Sequence, residues 1–242
     1  MEPIAVESLR VLQTIFEWVR GREDELTESS TVLVGGWAVY AYNPYWGSVD
    51  IDLVTNNRTK ASLRKHLLDN HGFHPDQDGL SASASVFKDT PAGKVSIDFA
   101  SRGSDVFEGS HGSFDLGIIT GNVQVKRIAG QEIPVPSRSV LLMMKTKAAW
   151  DRRWRYDHGA SMNQTHEWAK IIKDYSDILA LIDPARGGTD LNIGQLGRFF
   201  SEHEFIKPVL DRVAESRDGA DKYGISSESA RNMVEGLRRI IY

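Results

Sequence analysis

Residues Thr31 to Thr55, TVLVGGWAVYAYNPYWGSVDIDLVT, leave the chain few folds to choose from. A short apolar run, Val32 to Val34, meets two glycines, Gly35 and Gly36, and leads into Trp37 to Tyr42, which can carry a helical turn or two. The order is strand, tight turn, helix. A second run, Val49-Asp50-Ile51-Asp52-Leu53-Val54, sets two carboxylates into an apolar strand. The period of two predicts Asp50 and Asp52 on one face, about 7 Å apart. Such a pair repels itself and gains nothing from a core, so it needs a cation or a protein partner. Mg²⁺, which takes a few carboxylates with waters and phosphates, meets that need. A Gly-Gly turn opening a helix offers backbone N–H groups to those phosphates. The two halves of the stretch suit opposite ends of one metal-nucleotide ligand.

Gly35-Gly36 followed by Ser48-Val49-Asp50-Ile51-Asp52-Leu53 resembles the nucleotidyltransferase superfamily of polymerase beta-like fold. Its signature is Gly-Gly or Gly-Ser on a turn before a helix, then Asp-x-Asp on the next strand. Either piece alone marks any tight turn or solvated strand, whereas the ordered pair in strand context favours metal and nucleotide.

Composition narrows the chemistry. The 242 residues allow one large domain or two small ones, and 40% hydrophobic with 26% charged residues is ordinary for a globular protein. The chain has no cysteine, which removes disulfides, thiolate metal sites and a cysteine nucleophile, fits the cytoplasm, and leaves oxygen-ligated metals open. The start, MEPIAVESLRVLQTIFEWVRGREDE, has neither the basic head nor the unbroken apolar core of an export signal, and no run approaches membrane-spanning length. The expectation is a cytoplasmic protein without a membrane partner. A net charge of −4 argues against a nonspecific nucleic-acid coat and turns attention to local basic patches.

Apolar positions at Val6, Leu9, Leu12, Ile15, Phe16 and Val19 predict an amphipathic first helix over residues 4–20. Arg58 to Asn70 reads as a helix with Leu63, Leu67 and Leu68 inward and a stop at His71-Gly72. Leu80 to Phe87 and Lys94 to Ala100 alternate as adjacent strands, joined through Lys88 to Gly93. In the second, Asp98 shares a face with Ser96 and reaches the side of Asp50 and Asp52 if the strands are neighbours. The superfamily places its third carboxylate on a later strand, so the resemblance favours Asp98 over Asp105 or Asp115. Residues 101–117, rich in Gly and Ser, read as a long loop beside the proposed site. Asn122 to Ile128 and Glu132 to Val135 form a hairpin around Ala129-Gly130-Gln131.

From Ser137 the pattern becomes helical: a helix to about Trp154 capped by Ser137 or Ser139, another over Thr165 to Ile182, then helices near 192–202, 204–217 and 226–241. The expected class is α+β, with a small mixed sheet and flanking helices as a nucleotidyltransferase core over residues 1–136. A helical domain over residues 137–242 completes the active site. On the first of the later helices, Lys145, Ala149 and Arg152 fall on one stripe, which presents two cations either to a phosphate or to solvent.

A second resemblance covers residues 31–182. Pro134-x-Pro136, Leu141-Leu142-Met143-Met144-Lys145, Ala148, Asp151-Arg152 and Lys173-Asp174-x-x-Asp177-Ile178 look like the motifs of AbiEii-type toxin nucleotidyltransferases. This implies a toxin-antitoxin setting with an antitoxin as partner, Lys145 on nucleotide phosphate, and Asp174 organising the site, with Asp177 as the next candidate. The chain departs from relatives at Trp46, where many carry an arginine, and Gly36 stands in place of the serine of the Gly-Ser version. CCA-adding enzymes share Val-Gly-Gly but carry Arg-Asp where this chain has Tyr40-Ala41.

The expected reaction moves a nucleoside monophosphate from an NTP to a hydroxyl and releases pyrophosphate. Asp50, Asp52 and Asp98 would hold two Mg²⁺ ions, with Asp98 nearer the acceptor. Gly35, Gly36 and Ser48 would receive the triphosphate, and Lys145 and Arg152 would neutralise it. The basic aromatic segment 145–156 favours a nucleic-acid acceptor or else holds only the triphosphate, and the AbiEii resemblance implies RNA (tRNA) or protein as acceptor. Two rivals stand. Lincosamide and aminoglycoside nucleotidyltransferases share Gly-Gly-Trp-Ala before Asp-x-Asp, and Trp37, Tyr42, Tyr45 and Trp46 suit a small-molecule pocket. A catalytically silent nucleotide-binding or regulatory module would keep the same fold.

Overall fold

The structure is a computed structural model that describes residues 1–22, 30–76, 85–102, 106–107, 112 and 114–241. Its contacts divide the chain into two compact units, Met1–Val106 with Asp115–Ser137, and Phe107–Phe114 with Arg138–Tyr242.

The first unit is built on a five-stranded sheet in the order β1-β2-β5-β4-β3, from β1 (Val32–Val34), β2 (Ile51–Thr55), β3 (His74–Pro75), β4 (Ser85–Thr90) and β5 (Gly93–Ser101). It is mixed, because β2 and β5 run parallel while the other pairs are antiparallel. Helix α1 (Pro3–Arg20) buries Leu12, Ile15, Phe16 and Val19, the stripe that its spacing predicts. Ser8 on the same helix is fully buried and accepts a hydrogen bond of 2.9 Å from the Trp37 indole, so the polar group is satisfied and ties α1 to α2 (Gly35–Tyr42). Helix α3 (Asn57–Asn70) is capped by the Asn56 side chain, which accepts from Thr59 N–H at 2.7 Å, and ends at His71 before Gly72, whose φ of +67° only glycine adopts cheaply.

Strand β4 runs to Thr90, past the expected end at Phe87, because Thr90 Oγ1 donates to the Gly93 carbonyl at 2.7 Å and accepts from Ala92 N–H at 3.2 Å. That closes the turn on Pro91-Ala92 and lets Lys88 and Asp89 join the ladder. The expected start of this strand, residues 80–84, lies outside the described residues. After the short strands β6 (Val106–Phe107) and β7 (Phe114–Asp115), the chain forms a hairpin of β8 (Val123–Ile128) and β9 (Gln131–Pro136). Its turn is two residues, Ala129 at φ 49° and Gly130 at φ 84°, the double left-handed pattern of a type I′ turn. Gln131 therefore belongs to the strand rather than to the turn. The Tyr42 hydroxyl donates to the Pro136 carbonyl at 2.7 Å and lies 3.0 Å from Gln124 Oε1, which joins α2 to the hairpin.

The second unit is helical: α4 (Arg138–Asp157), α5 (Gln164–Ile182), α6 (Ile193–Glu202), α7 (Pro208–Glu215), α8 (Arg217–Tyr223) and α9 (Ser227–Ile241). One expected helix over 204–217 is instead a 3-10 turn, Glu204–Ile206, followed by α7, and Ser216 begins α8 by capping Gly219 N–H at 3.0 Å. Pro208 sits at the first position of α7, where its missing N–H costs nothing. The chain as a whole is α+β, a small mixed sheet with helices followed by a helical region. Among the described residues no helix is long and apolar enough to cross a membrane.

Candidate active site

The sheet brings two of the singled-out carboxylates together. Asp52 on β2 and Asp98 on β5 are register partners in the parallel pair, so their side chains leave the same face of adjacent strands, about 4.8 Å apart along the hydrogen-bonding direction. Asp98 is exposed and accepts a hydrogen bond of 2.5 Å from the Ser85 hydroxyl on β4, its register partner on the other side. Asp52 is half-buried and faces Val34, the last residue of β1.

Asp50 is placed differently from the expectation. Strand β2 begins at Ile51, so Asp50 lies half-buried on the bend before it rather than within the strand. On the β1 side, Val34 pairs with Asp52 and the chain then turns into α2, so no residue of β1 remains to pair with position 50. Ser48 is buried two residues earlier.

Gly35 opens α2 with φ +68°, the left-handed region. A Cβ there would stand 1.8 Å from Asp52 Oδ2 and 2.6 Å from its Cγ. The backbone of the first glycine thus lies directly against the carboxylate, at the positive end of a helix where an anion is favoured. Gly36 follows inside the helix and is buried.

Among the described residues no three His, Cys, Asp or Glu side chains are grouped closely enough to hold a metal ion. The donor set on the shared face is nevertheless all oxygen, and a hard divalent cation of the Mg²⁺ kind is commonly held by one or two carboxylates with waters and phosphate oxygens completing its shell. Asp52 and Asp98 fit that demand as a pair. Of the alternatives to Asp98, Asp115 is engaged by the local chain, its Oδ1 accepting from Gly117 N–H at 2.8 Å, and Asp105 lies outside the described residues.

The residues singled out on α4 and α5 gather in the helical unit. Lys145 is 8% exposed, and its ammonium meets Asp174 Oδ1 at 3.2 Å and Asp177 Oδ2 at 2.7 Å. Arg152 pairs with Asp174, and Lys173 with Asp177 at 3.0 Å. Burial by itself pulls the Lys145 pKa down, but the charges of Asp177 and Asp174 outweigh it and hold the ammonium well above its ordinary range. Burial dominates at Lys173 and lowers it, against the pull of Asp177. The stripe of Lys145 and Arg152 thus meets carboxylates of α5, and their helix carries a further buried pair, Lys147 with Asp151 at 2.5 Å. In the basic aromatic segment, the Arg153 guanidinium lies 5.8 Å from the Tyr156 ring and 5.5 Å from that of Trp168, while Trp154 stacks on His158.

Two partners escaped the sequence reading. Ser85 belongs to no motif, and only cross-strand pairing brings it to Asp98. Lys173 sits next to Asp174 in sequence, but the turn of the helix carries it to Asp177, an i to i+4 spacing that the sequence does display.

No family model matches the chain, and no curated protein is similar to it in sequence. Among solved structures, the chain is similar to an antigenic nucleotidyltransferase-like protein from Paracoccidioides brasiliensis (17% identity over 87% of this chain and 91% of that one, TM-score 0.46). It is also similar to ANT(2″)-Ia bound to adenylyl-2″-tobramycin (13% identity, 81% and 99%, TM-score 0.46). A third likeness is to a lincosamide antibiotic adenylyltransferase bound to lincomycin (16% identity, 73% and 96%, TM-score 0.42).

Proposed function

We propose that the protein is a metal-dependent nucleotidyltransferase that moves a nucleoside monophosphate from an NTP to a hydroxyl acceptor. The observation that carries this reading is the in-register pair Asp52 and Asp98 on one sheet face, with the Gly35 backbone pressed against the Asp52 carboxylate at the start of a helix. Two anions on one face beside a helix N-terminus suit a ligand with positive ions and phosphates together.

In the proposed reaction the acceptor oxygen bonds to the α-phosphorus and the bond to the bridging oxygen on the β side breaks, releasing pyrophosphate. Bound divalent ions of the Mg²⁺ type, two in this reading, would supply charge neutralisation for the attacking and leaving oxygens. Asp52 and Asp98 would hold them, with Asp50 contributing from the bend before β2. Backbone N–H groups at Gly35 and Gly36 would orient the triphosphate, and the buried Ser48 hydroxyl would support the bend. Ser85 donates to Oδ1 of Asp98, and the Asp98 carboxylate would help remove the acceptor proton. None of these roles draws on Lys145, Arg152 or Asp174, whose charges are joined to one another in the helical unit.

The motif resemblance to AbiEii-type toxins extends the proposal to tRNA, or else protein, as acceptor and to an antitoxin as partner. The test incubates the protein with α-labelled NTP and separate pools of tRNA, protein and small hydroxylated acceptors. Label should enter one pool with Mg²⁺ present and disappear in Asp52→Asn and Asp50→Ala variants that keep the wild-type circular dichroism and melting profile. Transfer at the wild-type rate in Asp52→Asn sinks the assignment, and absence of both transfer and Mg-NTP binding favours the silent module.

A further inference from the structure

The segment just before Asp50 builds a cavity of about 420 Å³ in the sheet unit, lined by Glu2 and Ala5 of α1, Tyr40 of α2, and Tyr45, Trp46 and Val49 of the connecting segment, among others. Its size lies within the range of small-ligand sites, roughly 300–1,000 Å³. Three aromatic rings contribute to the walls, and Val49 places one end next in sequence to Asp50. Trp46 is 39% exposed, one of few large apolar side chains so open among the described residues. Tyr40 brings α2 into the lining.

The walls are held in place. A Cβ on Gly47 would stand 3.1 Å from Ala5 Cβ and 3.3 Å from Met1 Cγ, so the segment after Trp46 is packed tightly on the start of α1. Asn43 closes α2 by donating from its N–H to the Val39 carbonyl at 2.9 Å, and the Tyr45 N–H donates to the Asn43 carbonyl at 2.8 Å. Trp37, edge-on to Tyr40 with ring centroids 5.2 Å apart, anchors that ring from the core side. The slot is thus lined by a connecting segment that backbone hydrogen bonds and packing on α1 hold in place.

Its chemistry selects a class of ligand. Glu2 contributes a carboxylate to the lining, which accepts hydrogen bonds. A flat ring that stacks on tyrosine and tryptophan and presents N–H donors at its edge matches such walls. Resting on the nucleotidyltransferase reading above, the geometry points to this cavity as a nucleobase subsite, with Tyr45 and Trp46 as the stacking surface and Glu2 taking the donors of an amino-bearing base. The base belongs to the NTP or to a nucleotide of the acceptor, and both present the same ring to the slot.

The test separates the sources and separates this inference from the reaction. With metal chelated, saturation-transfer NMR measures adenosine, guanosine, cytidine and uridine on the full chain. All four should bind, with uridine, the base lacking an exocyclic amine, the weakest. Trp46→Ala should weaken binding about tenfold or more, and Glu2→Gln should remove the disadvantage of uridine. Circular dichroism verifies the fold of each variant, and Trp46→Tyr should restore most of the binding. In the transfer assay, Trp46→Ala raises the KM for NTP if the slot holds the donor base, or for the acceptor if it holds an acceptor base. Nucleosides that fail to bind at 20 mM, binding unaltered in Trp46→Ala, or both KM values unchanged overturn the inference. A wild-type protein that binds nucleosides through Trp46 yet transfers nothing keeps the subsite and discards the reaction.

Discussion

Gly35 and Asp52 are in backbone-to-carboxylate contact so close that a methyl group on the Gly35 Cα would stand 1.8 Å from Oδ2. Two constraints coincide at this glycine, because its φ of +68° is itself costly for any residue with a Cβ. Gly35→Ala should therefore move the carboxylate as well as strain the turn. We expect loss of stability of about 2 kcal/mol, from the left-handed penalty of ~1–2 kcal/mol and the displaced side chain. NMP transfer should fall at least about a hundredfold, more than the stability loss explains. Urea unfolding and initial rates on the same preparation check this, and near-normal transfer would show that the Asp52 position is not critical.

Ser85 is a positioning residue in this scheme. Its hydroxyl donates 2.5 Å to Asp98 Oδ1, a hydrogen bond to a charged group, which fixes the orientation of the carboxylate. Ser85→Ala should lower kcat about tenfold, equivalent to about 1.4 kcal/mol, with little change in KM for NTP. Ser85→Thr keeps the donor and should restore most of the rate. A rate indifferent to both changes removes Ser85 from the site.

How far the sequence reveals this arrangement depends on whether the determinant is local. The helices α1 and α3 were legible because each buries a stripe written at helical spacing, and Gly35 was legible because two glycines between an apolar run and a helix mark a tight turn. The pairing of Asp98 with Asp52 followed once the strands were taken as neighbours. The place of Asp50 was not legible, since where β2 begins depends on its pairing with β1 and β5, which are other segments. Nor was the partner of Lys145, because an exposed cationic stripe and a buried one look alike until a facing helix supplies Asp174 and Asp177.

The Lys145 cluster predicts a stability effect of its own. Lys145 is held charged between Asp177 and Asp174, all three nearly buried, so removing the ammonium leaves carboxylates short of a cation. Lys145→Met should cost about 3 kcal/mol, the low end of the ~3–5 kcal/mol for breaking a buried pair, because Arg152 and Lys173 still serve the two aspartates. Lys145→Met combined with Asp177→Leu should recover part of that loss. Since the folded pKa of Lys145 lies above its ordinary value of 10.5, its contribution is complete below that pH and is lost only as the pH rises through the higher folded value. Chemical denaturation of the three proteins at neutral pH measures the coupling, and a strictly additive double variant would remove it.

Asp157 provides the acid counterpart. Burial by itself raises its pKa, but the Arg153 Nε contacts at 2.8 and 2.9 Å and the Arg212 contact at 3.2 Å outweigh it and depress the group below its ordinary 3.8. A depressed carboxylate contributes stability above its unfolded pKa and loses it as the pH falls through the lower folded value. The side chain is 33% exposed, so solvent screening limits the contribution to less than about 1 kcal/mol. Asp157→Asn should therefore be slightly less stable than the wild type at neutral pH, by a constant margin down to about pH 5. As the pH falls through the lower folded value the two should converge, because the wild type has then protonated the same group. Urea midpoints from neutral pH down into the acid range decide the matter: a margin that stays constant throughout would place the effect in packing, since only a titrating carboxylate makes the curves meet.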